Sequence, residues 1–144
     1  MKEENRYLKA FTIMFRAYQS VQDATKKDLL QYDLNQTEFG VLDFLYHNGE
    51  QPIQVIGKKI LVASSSITYV IDKLEQKDFV CRRACANDRR VTYAVLTDEG
   101  QVLMDRIFPL HEQKINEIFQ VLDQQELEIM NMALKKVGLN AINK

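Results

Sequence analysis

The chain has 144 residues, of which 46% are hydrophobic and 27% charged, so it carries enough apolar material for one folded domain with a real core and is not expected to be disordered. No apolar run approaches the roughly 20 residues needed to cross a bilayer, and the opening Met1-Lys2-Glu3-Glu4-Asn5-Arg6 lacks the apolar segment of a signal peptide. Two cysteines are too few for a disulfide framework, so a cytoplasmic, reducing location with no membrane partner is expected. The net charge of −1 weighs slightly against a polyanion-binding chain until its distribution is examined.

Residues 6–30 repeat apolar or small side chains at heptad-like spacing (Leu8, Phe11, Phe15, Tyr18, Thr25, Leu29) without Gly or Pro, which predicts a long helix. Asn35-Gln36-Thr37-Glu38 reads as a capping box, with Asn35 capping the helix start and Glu38 reaching back. The helix it opens should bury Phe39, Leu42 and Leu45 or Tyr46, and Asn48-Gly49 should end it. Pro52 then opens a compact module. Its first helix is a short run over 55–61, where Gly57 would let a neighbouring helix come close at some cost in propensity.

A serine-rich start, Ala63-Ser64-Ser65-Ser66, leads into a second helix. Ile67, Val70, Ile71 and Leu74 fall at i, i+3, i+4 and i+7, a buried stripe that leaves Ser65, Thr68, Tyr69 and Lys73 on or beside the opposite face. Two β-like runs follow at 79–85 and 91–96, joined by the polar turn Ala86-Asn87-Asp88-Arg89-Arg90. Val91, Tyr93 and Val95 share one face of the second strand, Thr92, Ala94 and Leu96 the other. Leu96-Thr97-Asp98-Glu99-Gly100 is a helix start, with Thr97 as cap and two acids where the helix dipole favours them. That helix should run towards Val121 through Leu103, Ile107, Leu110 and Ile118, kinked or divided at Pro109. Asp123 restarts a last helix with Leu127, Met130, Leu134 and Val137, and Gly138 is its expected stop.

Two short helices followed by a hairpin with arginines at its tip predict a winged helix-turn-helix. The fold class is therefore mainly α with a small β-hairpin wing, flanked by N- and C-terminal dimerisation helices. Long amphipathic helices at both ends either cover the module's own core or pair with a second copy, and their separation in sequence favours pairing. Between Gln54 and Leu96, eight basic residues face four acidic ones, a net of +4, while the rest of the chain nets −5. A positive module in an acidic frame is the footprint of a protein that touches phosphates on one face, although chance scatter gives the same figure.

From Thr37 to Gly100 the sequence resembles the MarR family of bacterial transcriptional regulators. Asp88-Arg89-Arg90, followed six residues after Arg90 by Leu96-Thr97-Asp98-Glu99-Gly100, is similar to the family's wing signature D-x-R…L-T-x-x-G. Residues 67–75 resemble its recognition helix and 37–42 the helix before the module. The resemblance implies a single MarR-like domain over 1–144, with dimerisation helices at about 6–30 and 98–138 and the winged helix-turn-helix at about 35–97. It also implies a homodimer that represses transcription from pseudo-palindromic double-stranded DNA and is released by a small aromatic or phenolic ligand or by oxidation. Some family sensors carry a reactive cysteine in the first helix; this chain has none before Cys81, so a switch of that type is not expected.

The candidate DNA-binding residues are Ser64, Ser65, Ser66, Thr68, Tyr69, Lys73, Arg89 and Arg90. Arg90 at the hairpin tip suits a narrow, electronegative minor groove, and Asp88 would orient an arginine by a bidentate pair. The duller reading of Asp88-Arg89-Arg90 is a soluble loop. Small hydroxyls let the helix N-terminus approach phosphate, yet one serine of the three is simply an N-cap. Thr68 and Tyr69 project where base edges are read, though Tyr69, where the family often has a basic residue, also suits plain packing. Lys73, Arg82 and Arg83 fit phosphates better than bases, or are solvated charge.

Phe11, Phe15, Tyr18, Phe44 and His47, with Phe108 and His111, are candidates to line a ligand pocket, although aromatic residues at helical spacing are more often core. Cys81 and Cys85, roughly 13 Å apart on an extended strand, cannot pair with each other. With His47 and His111 they offer no metal-ligand spacing, so neither metal nor cofactor is expected. No catalytic motif is present, which argues against an enzyme. The competing function is a winged-helix module used for protein–protein contact, which would not need Arg89 and Arg90.

Overall fold

The computed structural model describes residues 3–60 and 64–144, less the side chains of Ser64 and Ser65. Among them the element order is α1 (Arg6–Leu30), α2 (Gln36–Asn48), β1 (Gln51–Pro52), α3 (Ile53–Lys59), α4 (Ser64–Gln76), β2 (Val80–Ala84), β3 (Thr92–Leu96), α5 (Asp98–Phe119) and α6 (Gln124–Ala141). They group into two compact units, Met1–His111 and Glu112–Lys144.

Asn5 caps α1 by accepting from the amides of Tyr7 and Leu8, and the helix then runs over the predicted span. Of its heptad-spaced side chains only Thr25 and Leu29 are buried; Leu8, Phe11, Phe15 and Tyr18 stay open to solvent in the single chain. At α2 the capping box is complete, Asn35 accepting from the Glu38 amide at 2.7 Å and Glu38 from the Asn35 amide at 3.1 Å. Gly49, at φ 73°, ends the helix in the left-handed region that glycine tolerates. Phe39, Val41, Leu42 and Leu45 of α2 meet Ile53 and Ile56 of α3, the α4 stripe Ile67, Val70, Ile71 and Leu74, and Leu103, Met104 and Ile107 of α5 in one core. Each fully buried Leu or Ile contributes about 1.5–3 kcal/mol.

The strands form an antiparallel sheet in the order β1-β3-β2. The sequence does not announce β1, because two residues ending in proline carry no periodicity. Gln51 and Pro52 nevertheless pair with Ala94 and Tyr93, and α3 starts at once after Pro52, earlier than the apolar run suggests. Its expected end at Leu61 and the Ala63 helix start lie outside the described residues. In the hairpin, Val80, Arg82 and Ala84 oppose Leu96, Ala94 and Thr92, while Cys81 and Arg83 oppose Val95 and Tyr93. Val80 and Ala94 are buried, so the first set faces inward.

The junction from wing to α5 is tight. Thr97 Oγ1 donates to the Asp78 carbonyl at 2.6 Å and accepts from the Gly100 amide at 3.0 Å, while the Thr97 amide donates to the Phe79 carbonyl at 3.0 Å. A Cβ on Gly100 would sit 2.2 Å from that Phe79 oxygen. Of the two outcomes expected at Pro109, a kink or a division, the division does not occur: α5 runs through it. Pro109 and Asp105 are exposed, so water can solvate the Asp105 carbonyl that proline leaves without a donor. In the second unit, Asp123 and Glu126 form a second capping box. Gly138 does not stop α6, which continues to Ala141; positive φ, the geometry of a glycine stop, is found at Gly49 and not at Gly138.

Candidate nucleic-acid interface

The buried stripe of α4 fixes which residues face out. Ser66, Thr68 and Tyr69 are exposed, and Lys73 is half-buried with its ammonium 5.3 Å from the Tyr69 ring centroid. Ser66, Tyr69 and Lys73 therefore form one polar, cationic strip, and the tyrosine holds the lysine by cation–π attraction as well as standing clear of the core. The side chains of Ser64 and Ser65 lie outside the described residues. A second strip, Thr68, Asp72 and Glu75, runs alongside on the flank next to β2.

At the wing tip the Asp88 carboxylate accepts from the Arg90 amide at 3.0 Å and from its guanidinium, Nε at 3.2 Å and Nη2 at 3.4 Å. The backbone bond and then the guanidinium hold the Asp88 carboxyl below its usual range. The Val91 amide donates to the Asp88 carbonyl at 3.1 Å and closes the turn. Arg90 keeps 91% of its side-chain surface exposed despite this fork, and Arg89 is exposed as well.

Arg82 and Arg83 are both held in ion pairs within the chain. The pleat sends them to opposite faces of the hairpin. Arg82 reaches α4, pairing with Asp72 at 2.7 Å and with Glu75, and donating to the Thr68 carbonyl at 3.5 Å. Arg83 forks onto Glu50, Nε at 3.1 Å and Nη2 at 2.6 Å, and stacks 4.6 Å over the Tyr93 ring. The Glu50 bond raises its already high pKa. Sequence inspection could not find these pairs, because they depend on strand register and on β1.

The candidate pocket residues fall in different places. His47 lies 4.6 Å from the Phe108 ring, Tyr46 5.8 Å from the same ring, and His111 4.4 Å from Phe39. Phe44 packs against the core. The Tyr46 hydroxyl donates to Asp105 at 2.7 Å, and that bond raises its pKa. Burial holds His111 below the ordinary imidazole value, with Asp43 and Asp28 pulling the other way. Phe11 and Phe15 project to solvent, and among the described residues no ring contact joins them or Tyr18 to this cluster. Tyr18 instead lines a cleft of about 330 Å³ with Gln22, Gln36, Thr37, Gly40 and Ile60.

Cys81 is exposed and Cys85 half-buried, both as free thiols. Among the described residues no group of three His, Cys, Asp or Glu side chains could hold a metal, and no helix is long and apolar enough to cross a membrane.

A short helix, a second helix with an open polar strip, and an antiparallel hairpin clamped to that second helix define the winged helix-turn-helix class. Residues 34–92 match the model of the MarR family. Over 134 residues the chain is 52% identical to the HTH-type transcriptional regulator MhqR of Bacillus subtilis (strain 168), covering 93% of this chain and 92% of that one. The chain belongs to the MarR family and is a transcriptional regulator. The fold agrees. AbsC, a MarR family regulator from Streptomyces coelicolor, superposes with a TM-score of 0.90 at 20% identity over the full length of both chains. Bordetella bronchiseptica BpsR, whose DNA binding is regulated by 6-hydroxynicotinic acid, superposes with a TM-score of 0.84 at 21% identity over 95% of this chain and 98% of that one.

Proposed function

We propose that this regulator is a homodimeric repressor that reads pseudo-palindromic double-stranded DNA and is released by a small aromatic or phenolic ligand. The observation that carries the DNA reading is the pairing of an outward strip on α4 (Ser66, Tyr69, Lys73) with the solvent-exposed Arg90 on a wing braced by Asp88. In this reading α4 enters a major groove, Arg90 and Arg89 enter the adjoining minor groove, and the first turn of α4, with its three serines, faces phosphate.

Two apolar surfaces support a second copy as partner. One is the exposed Leu8, Phe11 and Phe15 of α1; the other is Ile129, Met132 and Val137 of α6, a helix with no buried residue among those described. Single chains rarely leave that much contiguous apolar side chain in water. Ligand release finds support in the aromatic cluster around Phe108 and His47, and in the regulation of BpsR by a hydroxylated aromatic acid. Family membership supports a reader of cytoplasmic DNA rather than a catalyst.

The test is fluorescence-anisotropy binding to a duplex from the region upstream of the chain's own coding sequence, comparing wild type with Arg90→Ala at two salt concentrations. Arg90→Ala should weaken binding about tenfold and lower the slope of log K against log salt by about 0.9. Tight binding that Arg90→Ala leaves unchanged removes the wing from the interface. No binding to that duplex or to A·T-rich competitors at low salt favours the protein-contact module.

A further inference from the structure

The α4 helix carries a liability for any reader of phosphate: on the strip beside Thr68 it presents two carboxylates, Asp72 with half its side chain exposed and Glu75 with a third. Both are met by one guanidinium from another element. Arg82 Nη2 lies 2.7 Å from Asp72 Oδ1, Nη1 pairs with Glu75 Oε1, and Nη2 also donates to the Thr68 carbonyl at 3.5 Å. Arg82 projects from the inward face of β2, opposite Ala94, and keeps 31% of its side-chain surface exposed. The guanidinium thus spans about two turns of α4 and ties them to the strand that leads to the wing tip.

We propose that Arg82 is a positioning residue for DNA binding: it locks α4 and the wing into one rigid reading head and offsets part of the negative charge of the two carboxylates that would otherwise repel phosphate. The proposal rests on the DNA-binding reading above but differs from it in assigning Arg82 no contact with DNA. The distinction has chemical consequences. An arginine that bonds phosphate is lost for good when it is replaced, whereas the loss of an arginine that neutralises neighbours is partly relieved once those neighbours are neutral.

Arg82→Met should weaken binding to the upstream duplex about tenfold, since two uncompensated charges then face the DNA. The triple variant Asp72→Asn/Glu75→Gln/Arg82→Met should bind at least about threefold tighter than Arg82→Met, because no carboxylate remains on the strip, and its remaining deficit against wild type measures the lost lock. A triple variant as weak as Arg82→Met would show that the two carboxylates play no part in the loss, and would overturn the proposal; so would an Arg82→Met that binds like wild type. Amide exchange on the free protein tests the lock without DNA. Faster exchange over 68–76 in both variants supports it, and unchanged exchange refutes it. Failure of the wild-type chain to bind any duplex would count against the DNA reading alone and leave the exchange result to decide the lock.

Discussion

Gly100→Ala tests whether the wing is seated on α5 as tightly as the geometry indicates. An added Cβ would lie 2.2 Å from the Phe79 carbonyl oxygen, 2.8 Å from Leu96 Cδ1 and 3.1 Å from Leu96 Cγ. A carbon normally keeps about 3.3 Å from such an oxygen, so the first turn of α5 must back away by about 1 Å. Relief cannot come from a side-chain rotation, since the nearest atom is backbone. The shift strains the Thr97 amide bond to Phe79 and the Thr97 hydroxyl bond to Asp78. Overpacking costs about 1–3 kcal/mol, two weakened hydrogen bonds about 1 kcal/mol each, and the gain in helix propensity returns about 1 kcal/mol. The net loss is about 2–4 kcal/mol, or roughly 5–15 °C in melting temperature for a chain of this size. Calorimetry at one fixed protein concentration measures it, since a dimer's stability depends on concentration. Gly138→Ala, where nothing lies within 4 Å in the chain, is the control and should stabilise by up to about 1 kcal/mol. A Gly100→Ala protein that melts with wild type, or above it, would refute the argument.

Lys77 ties the α1–α2 turn to the end of α4, with Nζ 2.6 Å from the Asp33 carbonyl and 2.8 Å from the buried Glu38 carboxylate. Lys77→Met leaves that carboxylate without its cation and should cost about 2 kcal/mol in urea denaturation; a change below about 0.5 kcal/mol would show that the pair contributes nothing. The burial that lowers the His111 pKa favours its neutral form when folded. That contribution is complete above the unfolded imidazole value of about 6.5 and is lost as pH falls below it. Melting temperatures at pH 7.5 and 5.5 should therefore fall less for His111→Phe than for wild type, and equal falls would exclude His111 as the cause.

Features set by near neighbours along the chain are legible in the sequence itself. The capping box at Asn35, the span of α1, the Ile67-to-Leu74 stripe and the alternation through Tyr93 and Ala94 all depend on local spacing, and all are present in the fold. Local signals also mislead where context outweighs them. Gly138, a plausible stop by its position, sits in a helix that simply continues. At the candidate site, the exposure of Tyr69 follows from the helical wheel, whereas its contact with Lys73 does not. The partners of Arg82 and Arg83 are out of reach of such reasoning, because no periodicity encodes how β2 packs beside Asp72 and Glu75 of α4 or beside Glu50 ahead of β1. The aromatic candidates divide for the same reason: spacing shows that residues share a helix face, not which face finds a neighbour.

The adjacency of Arg82 and Arg83 also limits how this wing can diverge. Because the pleat alternates, inserting or deleting one residue between Val80 and Arg82 would exchange the two arginines between faces, stranding Asp72 and Glu75 on one side and Glu50 on the other. The turn at 86–90 carries no such constraint on its length. Variation among wings of this build should therefore accumulate at the tip, where it alters what is read, while the strand behind it keeps its frame.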